Sequence, residues 1–130
     1  MEDVMIEMND AMILRIRSLV VAMVNAFDIP AQRELIAQAA TIHSPTGIPT
    51  MLEFQVDRSL EPAHGSPNPL DVTAEVKTAE GKDLGMLVLW IDAEGYLYSL
   101  EFSWVVDDRP DTLPRVDQII PRLGPSKTWT

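Results

Sequence analysis

Leu84-Gly85-Met86-Leu87-Val88-Leu89-Trp90-Ile91-Asp92-Ala93-Glu94-Gly95-Tyr96-Leu97-Tyr98-Ser99-Leu100-Glu101-Phe102-Ser103-Trp104 is the stretch that decides the fold. Two apolar arms flank Asp92-Ala93-Glu94-Gly95, a polar segment that closes on glycine and reads as a tight turn. The first arm, Leu84–Ile91, is apolar at odd and even positions alike, which predicts a central strand covered on both faces. The second arm, Tyr96–Val106, alternates. Tyr98, Leu100, Phe102 and Trp104 share one side, and Ser99, Glu101 and Ser103 share the other. Together they predict an antiparallel hairpin.

Working upstream, Val72, Ala74 and Val76 alternate with Thr73, Glu75 and Lys77, and Ala79-Glu80-Gly81-Lys82 supplies a turn into the hairpin. Leu52, Phe54 and Val56 alternate with Glu53, Gln55 and Asp57 in a further half-buried strand. Between these, Glu61–Pro69 carries three prolines and reads as a loop. Downstream, Pro110, Pro114, Pro121 and Pro125 exclude a long helix and predict an extended tail with one short turn around Val116–Ile120.

The first part of the chain has a different period. Met5, Met8, Met12, Ile16, Leu19, Met23 and Phe27 fall on one helical stripe, widened by Ile6, Ile13, Val20 and Val24. This predicts a helix over 3–27, with Leu14 and Val21 as apolar misfits on its polar side. Leu14-Arg15-Ile16-Arg17 also alternates, so a strand over 12–20 stays open. Asp28 is placed to cap a second helix running to Gln38–Ala40, with Pro30 in its first turn and Leu35, Ile36 and Ala39 facing inward. The expected fold is α+β, two N-terminal helices packed on an antiparallel meander of about four strands. It forms one domain over 1–130: a helical part at 1–42, a sheet at 49–106 and a proline-rich extended tail at 107–130.

Composition narrows the function. Of 130 residues, 20 are Asp or Glu and 10 are Lys or Arg, a formal net charge of −10 that repels phosphate backbones and argues against nucleic-acid binding. No cysteine and two histidines leave neither a thiolate nucleophile nor a Cys- or His-rich metal centre. No cofactor motif occurs: P-loop, GxGxxG, HExxH and GxSxG are all absent. The apolar run at 11–27 is interrupted by Arg15 and Arg17, and the chain opens with Glu2, Asp3, Glu7 and Asp10. It therefore reads as a cytoplasmic protein with no membrane span.

Two function classes remain. The acidic residues thicken toward the C-terminus, where Asp107, Asp108, Asp111 and Asp117 face only Arg109 and Arg115. That distribution suits a non-enzymatic interaction domain, of immunity or antitoxin type, that covers a basic protein. Pro110 and Leu113 break any calcium-loop register there, so no metal is expected. The alternative is a small enzyme or ligand carrier with a pocket between the helices and the aromatic strand. Tyr98, Glu101 and His43 would be its polar groups, and Trp90 and Trp104 its walls. Self-association is also expected. A helix over 3–27 would overhang a small sheet, and Met5, Met8 and Met12 at its start would be covered by a second copy in a homodimer.

Leu52-Glu53-Phe54-Gln55-Val56-Asp57, Gly95-Tyr96-Leu97-Tyr98-Ser99-Leu100-Glu101-Phe102, Asp108-Arg109-Pro110 and Leu113-Pro114 resemble a group of small uncharacterised bacterial proteins, mostly actinobacterial. Those proteins have an N-terminal helical region, a strand ending in Val-Asp and a gly-x-leu-ser-x-leu-glu hairpin before a proline-rich end. The resemblance covers the last two-thirds of the chain and implies the fold but no activity. Where such proteins often carry a Cys-Gly-Cys-Pro-like stretch, Thr46-Gly47-Ile48-Pro49 stands here, so thiol chemistry is absent.

Overall fold

A computed structural model describes residues 10–124. Helix α1 spans Asp10–Val24 and buries Ile16, Leu19, Val20, Met23 and Val24, so 12–20 is helix and the strand alternative falls away. Leu14, one of the apolar misfits, is 58% exposed, while Val21 packs on the core edge. The expected start at residue 3 lies outside the described residues. The other end comes three residues earlier than the stripe predicted. The Ala26 N–H bonds Met23 O, and the Gln32 side-chain amide donates to the Val24 and Phe27 carbonyls. A side chain from the next helix thus satisfies carbonyls that would otherwise need another turn.

Helix α2 is shorter than expected, Gln32–Ala39, and Asp28 does not cap it. The N-cap is Ala31, at φ +57°, because the chain is still reversing direction at Pro30. Leu35 and Ala39 face the core as expected, and Ile36 is partly buried against it. Gln38 is fully buried as well. Its amide donates to the Glu61 and Gly95 carbonyls at 3.1 Å each and accepts the Leu97 N–H at 2.9 Å. One polar side chain therefore ties α2 to a loop, a turn and a strand.

The sheet has six strands rather than about four: β1 (His43–Ile48), β2 (Met51–Gln55), β3 (Val72–Lys77), β4 (Asp83–Ile91), β5 (Leu97–Trp104) and β6 (Ile119–Leu123). All pairings are antiparallel and the order is β1-β2-β5-β4-β3-β6. β3, β4 and β5 form a meander through the two expected turns, closed by Thr78 N–H to Lys82 O and Asp92 N–H to Tyr96 O. β2 joins on the far side of β5. The tail is no loose extension: a single 3-10 turn at Val116–Gln118 leads into β6 along β3, so the sheet runs from 43 to 123.

Both edge strands carry a proline, Pro45 in β1 and Pro121 in β6, where only one side of the ladder must be filled. Gly124 N–H donates to Asp71 O, so by alternation Arg122 and Ile120 face β3 with their amides and Pro121 faces outward.

The described helices cover one face only. Val72, Ala74 and Val76, then Leu87 and Leu89, then Leu100 and Phe102 join the helix residues in one core. The opposite face presents Thr73 and Glu75, Met86, Val88 and Trp90, Ser99, Glu101 and Ser103, none of them under a described helix. Of the two faces of β4 that the sequence predicts to be covered, the described helices cover one. Val88 is nonetheless only 4% exposed, with Glu101 and Thr73 beside it in register. No helix among the described residues is long and apolar enough to cross a membrane.

Candidate functional site

The candidate pocket residues do not converge where the sequence placed them. Leu100 and Phe102 fill the side of β5 that faces the helices, so Glu101 points to the opposite, open face. There it accepts the Trp90 indole N–H at 3.0 Å across the β4–β5 ladder. Trp90 and Glu101 are thus brought together, on the wrong side of the sheet for a pocket beneath the helices. Trp104 is 40% exposed at the far end of β5, and its register partner is Gly85. A Cβ on Gly85 would lie 2.8 Å from the Phe102 ring and collide with the Ser103 carbonyl, so the position keeps its φ of +153° and its missing side chain. Beside it lies an open groove of about 540 Å³ lined by Glu75, Lys77, Met86 and Trp104. Tyr98 is half-buried near the start of β5.

His43 belongs to the edge strand β1, opposite Gln55. Its Nδ1 lies 2.9 Å from the Ser44 hydroxyl in an exposed contact, and Ser44 holds φ +52°. Hydrogen bonds from the Ser59 hydroxyl and backbone N–H hold the Asp57 carboxyl below its ordinary value, and the nearby His43 imidazole adds a smaller push in the same direction. These groups do not make a nucleophile relay. The Asp57 Oδ1 is occupied by Ser59, His43 and Ser44 are exposed, and no water-excluded cleft surrounds them.

The acidic residues are placed differently. After β5 the chain forms a strap, residues 105–115, held at both ends. Val105 N–H bonds Leu84 O at 2.9 Å, and Leu113 O accepts from the Arg15 guanidinium of α1 at 3.4 Å. Leu113 and Pro114 are buried, and the Gln118 amide donates to Lys77 O just beyond. Between these anchors Asp107, Asp108 and Asp111 stand exposed. Asp108 and Asp111 line a groove of about 360 Å³ between the strap and the Val76, Leu84 and Phe102 side of the sheet. Asp117, in contrast, pairs with Arg115 at 3.1 Å. Sequence reasoning found these carboxylates but missed the buried Leu113 that fixes the segment.

Several cations elsewhere are engaged within the molecule. Arg58 bridges Asp92 at 2.9 Å and Glu94, and stacks 4.2 Å over the Tyr96 ring. Lys77 pairs with Asp83 and Glu75, and Arg122 with Glu75 at 2.9 Å. Arg17 donates to Ile42 O. The hydrogen bond from Arg122 holds the Glu75 carboxyl below its ordinary value, and the bond that Lys77 donates to Asp83 raises the Lys77 ammonium. Burial pushes the Asp92 carboxyl upward, but hydrogen bonds from the Tyr96 N–H, Arg58 and the Glu94 N–H together lower it further. Among the described residues, Asp107, Asp108 and Asp111 enter no such pair. Met12 lies half-buried against the core, while Met5 and Met8 fall outside the described residues.

No family model, no curated protein and no solved structure matches the chain.

Proposed function

We propose that the protein is a non-enzymatic interaction module of immunity or antitoxin type, and that the strap at 105–115 is its contact surface for a basic protein. The observation that carries this reading is a contrast in charge pairing. Arg58, Lys77, Arg115 and Arg122 are engaged within the molecule, whereas Asp107, Asp108 and Asp111 are exposed on a segment anchored at both ends. A held loop loses little conformational freedom when a partner binds. Unpaired carboxylates on it attract and orient a cationic surface without first breaking an internal salt bridge. An enzyme needs polar groups converging in a water-excluded cleft, and His43 and Glu101 stand apart on open surfaces.

The test is a pull-down from the native host with the wild-type chain and with Asp107→Asn, Asp108→Asn and Asp111→Asn combined. Basic proteins retained by the first and lost by the second, with retention falling as salt rises, support the reading. Retention of the same proteins by both chains, or of acidic proteins only, defeats it.

A further inference from the structure

We infer that the groove beneath the strap is a receptor for an arginine side chain presented by a partner, with the stem on its apolar wall and the guanidinium at Asp108 and Asp111. This rests on the reading of the strap as the contact surface and names what that surface holds. The groove changes character from inside to outside. Val76 and Phe102, 0% and 2% exposed, close its inner end, and the half-buried Leu84 and Pro110 continue the apolar wall outward. Val106, 37% exposed, and the exposed Asp108 and Asp111 stand at its mouth. An apolar slot with carboxylates at its mouth matches a side chain that has an apolar stem and a cationic end.

Charge balance leaves the mouth open to a cation. Asp108 and Asp111 enter no ion pair or hydrogen bond among the described residues. Arg109 lines the same groove and is likewise unpaired among them, so two carboxylates stand against one guanidinium and the sum stays negative. Lys77 accepts a bond from Gln118 of the groove through its carbonyl, but its ammonium is held by Asp83 and Glu75. No cation of the described chain therefore neutralises the two aspartates, and the occupant comes from outside.

Size and shape narrow the choice further. The volume, about 360 Å³, is near the lower end of ligand pockets, roughly 300–1,000 Å³, which suits one long side chain and not a folded segment. Arginine fits better than lysine. Its forked guanidinium can bond two carboxylates at once, and it is more weakly hydrated than an ammonium, so it leaves water for an apolar slot more readily. The anchors at Val105 and Leu113 hold the strap in place, so the groove exists before the partner arrives.

Titration of the full chain with N-acetylarginine amide, followed in amide proton–nitrogen NMR spectra, tests it. Saturable shifts in the millimolar range are expected at Leu84, Val106, Asp108, Asp111 and Thr112. The citrulline analogue, which has the same shape without the charge, should give none, and the lysine analogue should bind more weakly. Asp108→Asn combined with Asp111→Asn should weaken the arginine probe about tenfold. Val106→Phe leaves every carboxylate in place but fills the mouth, and it should abolish the saturable shifts. Val106 is exposed, so the change spares the core, and unchanged near-ultraviolet circular dichroism verifies that. Shifts that are absent, scattered over the acidic surface, or as strong with citrulline or lysine overturn the inference. So does a Val106→Phe chain that binds the probe as tightly as wild type. The pull-down with Val106→Phe separates this inference from the reading it rests on. Basic proteins kept by Val106→Phe but lost by the triple Asn chain leave the strap as the contact surface and overturn the groove. A wild type that binds the arginine probe in the groove but retains no basic protein defeats the strap reading and supports the groove.

Discussion

The two faces of the sheet are built from the same strands, yet they hold their apolar residues by different means. On the helix side Leu87 and Leu89 are sealed by α1 and α2, and removing them from water is a tertiary event. On the open side Val88 is almost as deeply buried with no described helix above it, between Glu101 and Thr73 in register. Burial within a layer and burial between layers therefore look alike by exposure and differ in energy. Only the second loses a close-packed neighbour when the side chain is cut back.

Leu89→Ala draws the contrast most strongly. The cavity it leaves under the helices should cost about 2–5 kcal/mol, whereas Val88→Ala, one residue away on the other face, should cost about 1 kcal/mol because solvent and neighbouring side chains fill the gap. Urea unfolding of both, at a concentration where the chain is monomeric, measures it. Equal losses would mean that the open face is covered within the single chain.

Gln38→Leu comes next. It keeps the volume but strands the Leu97 N–H and removes a donor from the Glu61 carbonyl, while the Gly95 carbonyl keeps the Ala63 N–H, for about 1–3 kcal/mol. Hydrogen exchange should then quicken first at Leu97.

Acid provides a third, smaller break, and it acts outside the core. The Asp57, Glu75 and Asp92 carboxyls are all lowered in the folded chain. Their contribution to stability is thus complete above the unfolded carboxylate values, about pH 4, and is lost as pH falls through the lower folded values. Thermal unfolding should weaken from pH 5 to pH 2 (roughly the range over which such groups titrate). Glu75→Gln should flatten part of that slope, and an unchanged slope would assign it to other groups.

Trp90→Phe should matter least. It removes one hydrogen bond to Glu101, which water replaces on an uncovered face, so the loss should stay within about 1 kcal/mol. A loss as large as that of Leu89→Ala would show that the indole is enclosed.

The strands legible in the sequence are those whose own side chains specify an inside and an outside. β3 and β5 alternate, and the turns at 79–82 and 92–95 fix their partners. β4 was legible as central, and it lies between β5 and β3 with Val88 buried on the face that no described helix covers. β1 has no legible pattern: His43-Ser44-Pro45-Thr46-Gly47-Ile48 neither alternates nor favours strand, and it is extended because β2 pairs with it across a bulge. β6 was masked by Pro121, which excludes a central strand but not an outer one. The candidate site divides in the same way. The acidity of Asp107, Asp108 and Asp111 is a property of composition and was visible, whereas the strap that presents them depends on Leu113 reaching the core and Arg15 reaching its carbonyl from 98 residues away. Glu101 was recognised as unusual on its strand, but its direction follows from which face the helices choose, and that choice is made by the whole sheet.

The outward-facing proline of β6 has a consequence for how this molecule can grow. A foreign strand docking sideways against β6 would find no amide hydrogen at Pro121. The Ile119 amide beside it is already taken by Val116. At the opposite border, the kink of β1 at Ser44 and its bulge interrupt the straight run of acceptors that a docking strand requires. Fibre-like elongation by endless strand addition is thereby stopped at both borders, even though the lateral rows of a six-stranded sheet would otherwise be a template for it.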